Sequence, residues 1–362
     1  MKSLFSIFVL IVILVLGGNS ILSQFRQKID NALSVQPQVT SSSPTPLPTA
    51  AVTKNRYLFV PYWSLSQGNI ANSTSQTLVY FGVAANTSGL DEKEAGYTNL
   101  KTFVSKASDK DTLLTIRMIN NDTNFAVLKD KKAQEVIIQE SIALAKKENF
   151  KGIVLNLELS ALPFDSLVEQ INNFNKTFYE EAKEQNLFYY ITAYGDSFYR
   201  VRPFDIPNLA KNADGIFIMA YDFHKAKGNP GPNFPLKGKD QYGYDMEQML
   251  SQFTDSVDSE KLTVIFGLYG YDWKVNEKNV PIGLAEPRSM LEMESNFITS
   301  CQQKECKWER DGNSEEMNVT YVDTSGGNHT VWFEDETSVK RKEQFLNSRG
   351  ITSFAYWAHS YF

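Results

Sequence analysis

The sequence predicts an α/β protein, a (β/α)8 TIM barrel with a small α+β insertion between strands 7 and 8. Short apolar, β-rich runs alternate along the chain with helical patterns, which is typical of a parallel sheet. The runs are nearly continuous in apolar residues, as in strands that are covered on both faces. Eight of them fall in the body of the chain, and this number favours a closed barrel over an open sheet.

The predicted strands are rich in β-branched and aromatic residues and lie at 57–63, 77–85, 112–119, 152–159, 188–194, 215–221, 262–270 and 351–357. Helical patterns between them are clearest at 131–147, 165–184, 242–257 and 338–348. The last two strands are much further apart in the sequence than the others. We therefore predict the insertion at about 275–333, a stretch that includes both cysteines.

The composition is that of a globular protein and excludes several classes of function. Of the 362 residues, 42% are hydrophobic and 22% are charged. The net charge is −6 and no run is rich in Lys and Arg, which argues against nucleic-acid binding. The three His are scattered, and neither an HExxH motif nor a Gly-rich phosphate loop occurs, so we expect no metal and no cofactor. We also expect a monomer.

Residues 1–24 are typical of an export segment. Met1-Lys2 is followed by the apolar run LFSIFVLIVILVLGG. This run is short for a membrane-spanning helix, which needs about 20 residues, although Ile21-Leu22 extend it. Two interpretations stay open, an uncleaved signal-anchor, which we favour, and a cleaved signal peptide. Both predict an extracytoplasmic protein, either anchored in a membrane or secreted.

A Pro/Ser/Thr-rich linker is predicted at 25–54, and the barrel at 55–362. The only two cysteines, Cys301 and Cys306, lie within the predicted insertion. In an oxidising compartment we expect them to form a disulfide, the alternative being two free thiols in a loop.

Polar and aromatic residues collect at the predicted carboxyl ends of the strands, where TIM barrels carry their function. Aromatic faces stack on sugar rings and polar groups bind hydroxyls, so this set predicts a carbohydrate cleft. Asp222 has the alternative role of a helix cap, and His224 that of a polar rim residue. The set comprises Tyr62, Trp63, Asn156, Glu158, Tyr194, Asp196, Met219, Tyr221, Asp222, Tyr269, Tyr271, Asp272, Trp273, Tyr356 and Trp357.

Glu158 is the strongest candidate for a catalytic residue. It lies in an otherwise apolar strand, KGIVLNLELS, and strand alternation places it on the same side as Asn156. A lone carboxylate in a buried strand costs several kcal/mol unless it is paired or neutral. Partial desolvation raises the pKa of a carboxyl group, which is what a general acid requires.

The run FKGIVLNLE (150–158) resembles the strand-four signature D-G-x-D-x-D-x-E of glycoside hydrolase family 18, the family of chitinases and related N-acetylglucosaminidases. ADGIFIMAYDFH (213–224) and GLYGYDW (267–273) are similar to the strand-six and strand-seven elements of that family. FVPYW (59–63) and the segment 329–357 are similar to its spore-germination and cortex-lytic branch. The resemblance covers nearly all of 55–362, and its elements occur in the family's order.

The resemblance implies a glycosidase that uses substrate-assisted catalysis, with chitin-like glycans or peptidoglycan as partners. Glu158 would be the general acid, and the residue at 156 would orient the acetamido group of the substrate. Tyr221 would donate a hydrogen bond to the acetamido carbonyl, and Asp222 would contact the sugar beside the scissile bond. Trp357 would form the floor under the reacting sugar, with Tyr62, Trp63, Tyr194, Met219, Tyr269 and Trp273 as further substrate contacts.

Three positions depart from the family signature, because Lys151, Val154 and Asn156 stand where it has aspartates. An asparagine oxygen still accepts the acetamido N–H but carries no negative charge. Losing such a charge-assisted contact costs about 1.5–3 kcal/mol, or roughly ten- to a hundredfold in rate. Two functions therefore stay open. The first is an exported glycosidase, and the second is a catalytically inactive, lectin-like glycan-binding barrel on the cell surface.

Overall fold

The computed structural model describes residues 55–107 and 109–362. The predicted export segment 1–24 and the linker 25–54 lie outside the described residues. Fourteen strands occur in the described part: β1 (Arg56–Pro61), β2 (Thr77–Asn86), β3 (Gly89–Leu90), β4 (Asp111–Met118), β5 (Gly152–Leu157), β6 (Phe188–Tyr194), β7 (Gly215–Ala220), β8 (Leu262–Gly267), β9 (Tyr269–Val275), β10 (Glu286–Ser289), β11 (Lys304–Arg310), β12 (Met317–Val322), β13 (Asn328–Phe333) and β14 (Ser353–Trp357).

The described α-helices cover the outside of the barrel and its connections: α1 (Ala95–Thr98), α2 (Leu100–Lys106), α3 (Asn121–Lys129), α4 (Lys131–Lys147), α5 (Asp165–Glu184), α6 (Ile206–Lys211), α7 (Lys239–Tyr242), α8 (Met246–Thr254), α9 (Met290–Met293) and α10 (Glu336–Ser348). The ends of α4 and α5 are those that the sequence predicts. Helix α8 starts later than predicted because the side chain of Asp245 accepts a hydrogen bond from Gln248 N–H and caps it there. No helix among the described residues combines the length and apolarity needed to cross a bilayer.

Eight parallel strands close the barrel in the order β1, β2, β4, β5, β6, β7, β8 and β14, with β14 pairing to β1. The predicted (β/α)8 barrel is confirmed. Alternate residues of each strand fill the lumen, among them Tyr57, Phe59, Val79, Leu113, Val154, Phe217, Ile265 and Ala355. The opposite faces of the strands pack against the helices. This arrangement leaves the carboxyl ends of the strands as one open face.

Between β8 and β14 the chain forms a second, antiparallel sheet in the order β10, β9, β13, β12 and β11. The single predicted strand at 262–270 is therefore two strands, which is a correction. They separate at Leu268, whose N–H donates to Trp357 O at 2.8 Å, and β9 then pairs with β13 and β10. A continuous apolar run does not reveal such a change of sheet. A disulfide joins Cys301, which lies just before β11, to Cys306 within β11.

Candidate active site

The carboxyl ends of the barrel strands surround a cavity of about 250 Å³. Its lining combines carboxyl groups, phenols, an amide and two cations. Eight of the eleven residues predicted for catalysis or substrate binding lie in this lining, and Tyr62, Trp63 and Trp273 do not. The lining comprises Phe81, Ile119, Asn156, Glu158, Tyr194, Gly195, Asp196, Arg202, Met219, Tyr221, Asp222, Lys225, Tyr269 and Trp357.

Glu158 is the first residue beyond β5, and its side chain is half-buried. Its backbone N–H donates to Met118 O at 2.8 Å, which ties it to the neighbouring strand β4. The Nδ2 of Asn156 donates to Glu158 Oε1 at 3.0 Å. Thr192 in turn donates from Oγ1 to Asn156 Oδ1 at 2.8 Å, so this hydroxyl sets the orientation of the buried amide.

Two phenols complete the surroundings of Glu158. Tyr194 donates to Glu158 Oε2 through a long hydrogen bond of 3.5 Å. Burial, together with the nearby Glu158 carboxylate, raises the pKa of Tyr194 above its ordinary value. Desolvation and the same carboxylate raise the pKa of Tyr221 well above its ordinary value. Both phenols therefore stay protonated at neutral pH and act as hydrogen-bond donors.

Asp222 is the second residue after the end of β7, and its backbone is left-handed with φ 58°. Its Oδ1 accepts hydrogen bonds from the phenols of Tyr269 and of Tyr271, the latter at 2.7 Å. Its backbone N–H donates to Asn233 Oδ1 at 2.7 Å. The next helix, α7, begins only at Lys239, so Asp222 is not a helix cap.

A buried ionic network supports the segment that carries Asp222. Glu316 accepts hydrogen bonds from the backbone N–H groups of Asn233 and Phe234, at 2.5 and 2.8 Å. The Nζ of Lys342 lies 2.7 Å from both Glu316 Oε1 and Glu334 Oε1. All three ionisable side chains are fully buried. Burial, reinforced by Glu316, raises the pKa of the Glu334 carboxyl to about 7.

Aromatic rings form one side of the cavity. Trp357 lies at the end of β14 and stacks at 27° on Tyr221, with 6.4 Å between ring centroids. The edge of Phe81 meets Trp357 at 4.7 Å between centroids. Gly267, at the end of β8, is required here, because a Cβ atom would lie only 2.7 Å from the Cβ of Tyr221. The indole of Trp357 is thus held as an apolar platform beside the polar groups.

The family "Glycosyl hydrolases family 18" matches residues 38–361. The chain belongs to that family. Membership supports a glycosidase, the class of enzyme that the sequence motifs predict. The resemblance drawn from those motifs is therefore confirmed at the level of the family.

The chain is also similar to the "Putative sporulation-specific glycosylase YdhD" of Bacillus subtilis, 26% identical over 157 residues, which cover 43% of this chain and 34% of that protein. The "Cortical fragment-lytic enzyme" of Bacillus cereus is 21% identical over 296 residues, or 77% of this chain and 64% of that protein. The chain thus spans only part of these relatives. The class V chitinase of Nicotiana tobaccum in complex with NAG4 is 16% identical, with a TM-score of 0.70 over 85% of this chain and 95% of that one, and shows the same fold.

Three residues predicted as substrate contacts lie elsewhere. Trp273 is fully buried in the insertion, where its Nε1 donates to Gly228 O at 3.0 Å, so its ring is not available to a sugar. The prediction for Trp273 was wrong because β9, the strand that carries it, belongs to the antiparallel sheet of the insertion and not to the barrel. Tyr62 follows Pro61 into a short 3-10 turn and packs under the guanidinium of Arg117 at 5.2 Å. Trp63 is 45% exposed and meets Trp357 edge-on at 6.3 Å, on the rim rather than in the lining.

The cavity lining also contains residues that the sequence patterns did not predict, namely Phe81, Ile119, Gly195, Arg202 and Lys225. Thr192, which holds Asn156, was missed as well. Alternation along the predicted strand 188–194 places Thr192 on the same face as Tyr194, and this signal was sufficient to find it. Arg202 and Lys225 lie in loops, where no periodicity predicts the direction of a side chain.

The three departures from the family signature occupy different environments. Lys151 is exposed and precedes β5. Val154 is fully buried in the barrel lumen, beside Thr115 of β4 in the strand register. The Oγ1 of Thr115 is buried without a hydrogen-bond partner among the described residues. A carboxylate at 154 would lie next to this hydroxyl, so Thr115 marks where a polar partner is missing.

His224 lies beside the active site without entering its lining. Its Nδ1 lies 2.8 Å from Pro232 O, and its ring packs edge-on against Phe223. Burial lowers the pKa of the His224 imidazole, so it is neutral at pH 7 and donates from Nδ1. Within the described part of the chain, no group of three or more His, Cys, Asp or Glu side chains is placed to hold a metal ion.

Proposed function

We propose that this chain hydrolyses β-linked glycans that contain N-acetylglucosamine, peptidoglycan or chitin-like polymers, by substrate-assisted retaining catalysis. The observation that carries the proposal is the position of Glu158. Its carboxyl group lines the cavity between an amide donor at 3.0 Å and a phenol at 3.5 Å, with Trp357 in the same lining. The NAG4 ligand of the related plant chitinase supports this substrate class.

In the proposed first step, Glu158 donates its proton to the glycosidic oxygen while the acetamido carbonyl oxygen of the substrate attacks the anomeric carbon. The bond to the leaving sugar breaks with its electron pair going to the protonated oxygen. Tyr221, which stays protonated, donates to the attacking carbonyl oxygen and holds the cyclic oxazolinium intermediate. Water then attacks the anomeric carbon, and the bond from that carbon to the acetamido oxygen breaks with its electron pair returning to the acetamido group. The Glu158 carboxylate accepts a proton from the attacking water.

Asn156 has the role of orienting the acetamido group. Its Oδ1 accepts from Thr192 at 2.8 Å, and an amide oxygen has a second lone pair that can accept the acetamido N–H. Because the amide is neutral, it does not balance the positive charge of the oxazolinium ion. The proposed enzyme is therefore slower than one with an aspartate at this position, by about ten- to a hundredfold.

We propose that the protein acts outside the cytosol, held by its N-terminal segment or secreted. The basic start and apolar run of residues 1–24 support this location. The disulfide between Cys301 and Cys306 supports it independently, because disulfides persist in oxidising compartments.

The second candidate function is glycan binding without catalysis. One observation favours it, since Val154 and Asn156 leave Glu158 without an ionisable partner on its own strand. The retained cavity, with Tyr221, Asp222 and Trp357 in its lining, would bind a glycan in either case.

Cleavage assays with the full-length chain separate the two functions. Wild type and Glu158→Gln are incubated with chitin oligosaccharides and purified peptidoglycan, and new reducing ends are followed by mass spectrometry. We expect cleavage by wild type and a loss of about 10²–10⁴-fold in the variant. Glu169→Gln, an exposed position on α5, is the matched control and should cleave normally. Equal glycan binding by all three proteins without cleavage would establish the binding module and reject the enzyme.

A further inference from the structure

Two cations, Arg202 and Lys225, line the active-site cavity together with three carboxyl groups. We call Arg202 and Lys225 the cationic wall, and Arg200 shares Asp196 with Arg202 outside the lining. Asp196 accepts hydrogen bonds from Arg200 Nη1 at 2.6 Å and from Nε and Nη2 of Arg202 at 2.8 and 2.6 Å. Lys225 is exposed and forms no ion pair within residues 55–107 and 109–362. Arg202 thus shares Asp196 with Arg200, whereas Lys225 has no anionic partner among the described residues.

Arg202 is close to the catalytic carboxyl group. Its guanidinium carbon lies 3.7 Å from the ring centroid of Tyr194, whose phenol reaches Glu158. The side chain of Arg202 is only 12% exposed, and its Nη1 has no hydrogen-bond partner in the part of the chain that the structure describes. A partly desolvated guanidinium with a free donor is well suited to bind a carboxylate.

The other two carboxyl groups in the lining are not paired with these cations. Glu158 accepts hydrogen bonds from Asn156 and Tyr194, and Asp222 accepts from Tyr269 and Tyr271. Neither carboxyl group forms a salt bridge among the described residues. The pairing of Arg200 and Arg202 with Asp196 is sufficient to fix the loop that carries them. Lys225 has no structural partner of this kind and lies in the lining, so it is the cation that is free to bind a ligand.

A neutral glycan such as chitin has no charged group to place against these cations. A cation in a cleft that lacks an anionic partner of its own can pair with a carboxylate of a ligand. In peptidoglycan every second sugar carries a 3-O-lactyl group, which ends either in a free carboxylate or in a peptide that bears carboxylates. Such a substituent extends away from the sugar ring, toward the walls of a cleft.

We propose that the cationic wall binds a carboxylate on the sugar next to the reacting N-acetylglucosamine, so that the cavity selects acidic glycans of the peptidoglycan type over chitin. Lys225 is the specificity-determining residue and Arg202 its partner. This inference rests on the proposed function of the same cavity and narrows its substrate class.

The test compares binding of three ligands to the full-length chain carrying Glu158→Gln, so that no ligand is consumed. The ligands are chitotetraose, glycan strands freed of stem peptides, and the same strands with their carboxylates amidated. Lys225→Gln, added to this chain, should weaken binding of the carboxylated strands by about three- to tenfold and leave the two neutral ligands unchanged. Lys225→Arg should preserve the preference. Lys227→Gln, an exposed lysine outside the cavity lining, is the matched control and should have no effect.

The salt dependence of the ligand preference is a second measurement, because a merely structural role of Lys225 would not make that preference depend on salt. The preference for carboxylated strands should shrink between 0.1 M and 1 M salt, because the screening length falls from about 10 to about 3 Å. Strands that retain their stem peptides are a fourth ligand: a Lys225-dependent preference for these strands alone would place the carboxylate on the peptide and not on the sugar, and would overturn the proposal.

An equal effect of Lys225→Gln on all three ligands, or no effect on any, would overturn the proposal. So would amidation that leaves affinity unchanged. These outcomes are independent of catalysis, because binding is measured in a chain that lacks Glu158. Failure of the proposed function would instead appear as the absence of cleavage by wild type.

Discussion

Two carboxyl groups face the same cavity and are held in different ways. Glu158 has one close donor, Asn156 at 3.0 Å, and one distant donor, Tyr194 at 3.5 Å. Asp222 has two phenols on a single oxygen, and its backbone is fixed through Asn233. Asn233 in turn rests on the buried network of Glu316, Lys342 and Glu334.

This difference predicts that substitutions around Glu158 affect catalysis, whereas substitutions in the support of Asp222 affect the stability of the fold. The support of Asp222 is a buried, charged structure that joins the barrel to the insertion and α10, so disturbing it should lower the free energy of unfolding. The surroundings of Glu158 are neutral hydrogen bonds at the edge of a preformed barrel. Substitutions there should change the rate of catalysis while leaving the free energy of unfolding nearly constant.

The largest effect is expected from Lys342→Met. This change leaves Glu316 and Glu334 as buried carboxyl groups without a cation, which costs about 3–5 kcal/mol of the free energy of unfolding. Denaturant titration followed by tryptophan fluorescence measures it. Lys340→Met, an exposed position two residues away, is the control and should stay within about 0.5 kcal/mol. Equal losses of the free energy of unfolding in both variants would show that the buried network does not stabilise the fold as described.

A smaller effect is expected from the titration of Glu334 while Lys342 remains in place. Burial raises the pKa of Glu334 from 4.5 to about 7, so the folded protein binds this proton more tightly than the unfolded chain. The contribution of Glu334 to the free energy of unfolding therefore falls as pH rises from about 4.5 to about 7. Unfolding of wild type and Glu334→Gln should be compared across this range. The fall should be absent in the variant, and parallel curves would contradict the assignment.

On the other side of the comparison, Asn156→Asp should raise kcat by about ten- to a hundredfold. In the proposed mechanism the new carboxylate balances the oxazolinium charge and, as a like charge beside Glu158, favours the protonated form of the acid. Steady-state rates on chitotetraose measure the gain. Asn156→Leu, which removes the side-chain amide oxygen and nitrogen, should be slower than wild type. An aspartate variant no faster than wild type would show that Asn156 is not the limiting departure.

The smallest expected effect comes from the hydroxyl of Thr115 in the barrel lumen. Thr115→Val removes a buried donor without a partner and should raise the free energy of unfolding by about 1 kcal/mol. Thr263→Val is the matched change, because that hydroxyl is buried 2.7 Å from Ser353 Oγ, and it should lower stability by a similar amount. Changes of the same sign would mean that the Thr115 hydroxyl has a partner.

Sequence patterns were sufficient for the barrel but not for the path of the chain beyond it. Apolar runs predict strands because both faces of each barrel strand are covered. They do not reveal which sheet a strand joins, and this is why 262–270 was predicted as one strand. The error carried over to Trp273, whose alternation belongs to the insertion sheet.

For the site, alternation along one strand was enough to place Asn156 and Glu158 together. Residues whose direction is set by a loop were beyond such patterns. Arg202 and Lys225 enter the cavity only because loops after β6 and β7 return over it. The buried Lys342 likewise has no signal in the sequence, since a lysine on an amphipathic helix is ordinarily exposed.

The central claim is that Glu158 acts together with the substrate's own acetamido group. Proton NMR of the first products released from chitotetraose tests it most directly, because the anomeric protons distinguish α from β before mutarotation. Two inversions at the anomeric carbon, first by the acetamido oxygen and then by water, predict that the β-anomer appears first. Initial release of the α-anomer would show direct attack by water and would contradict the account.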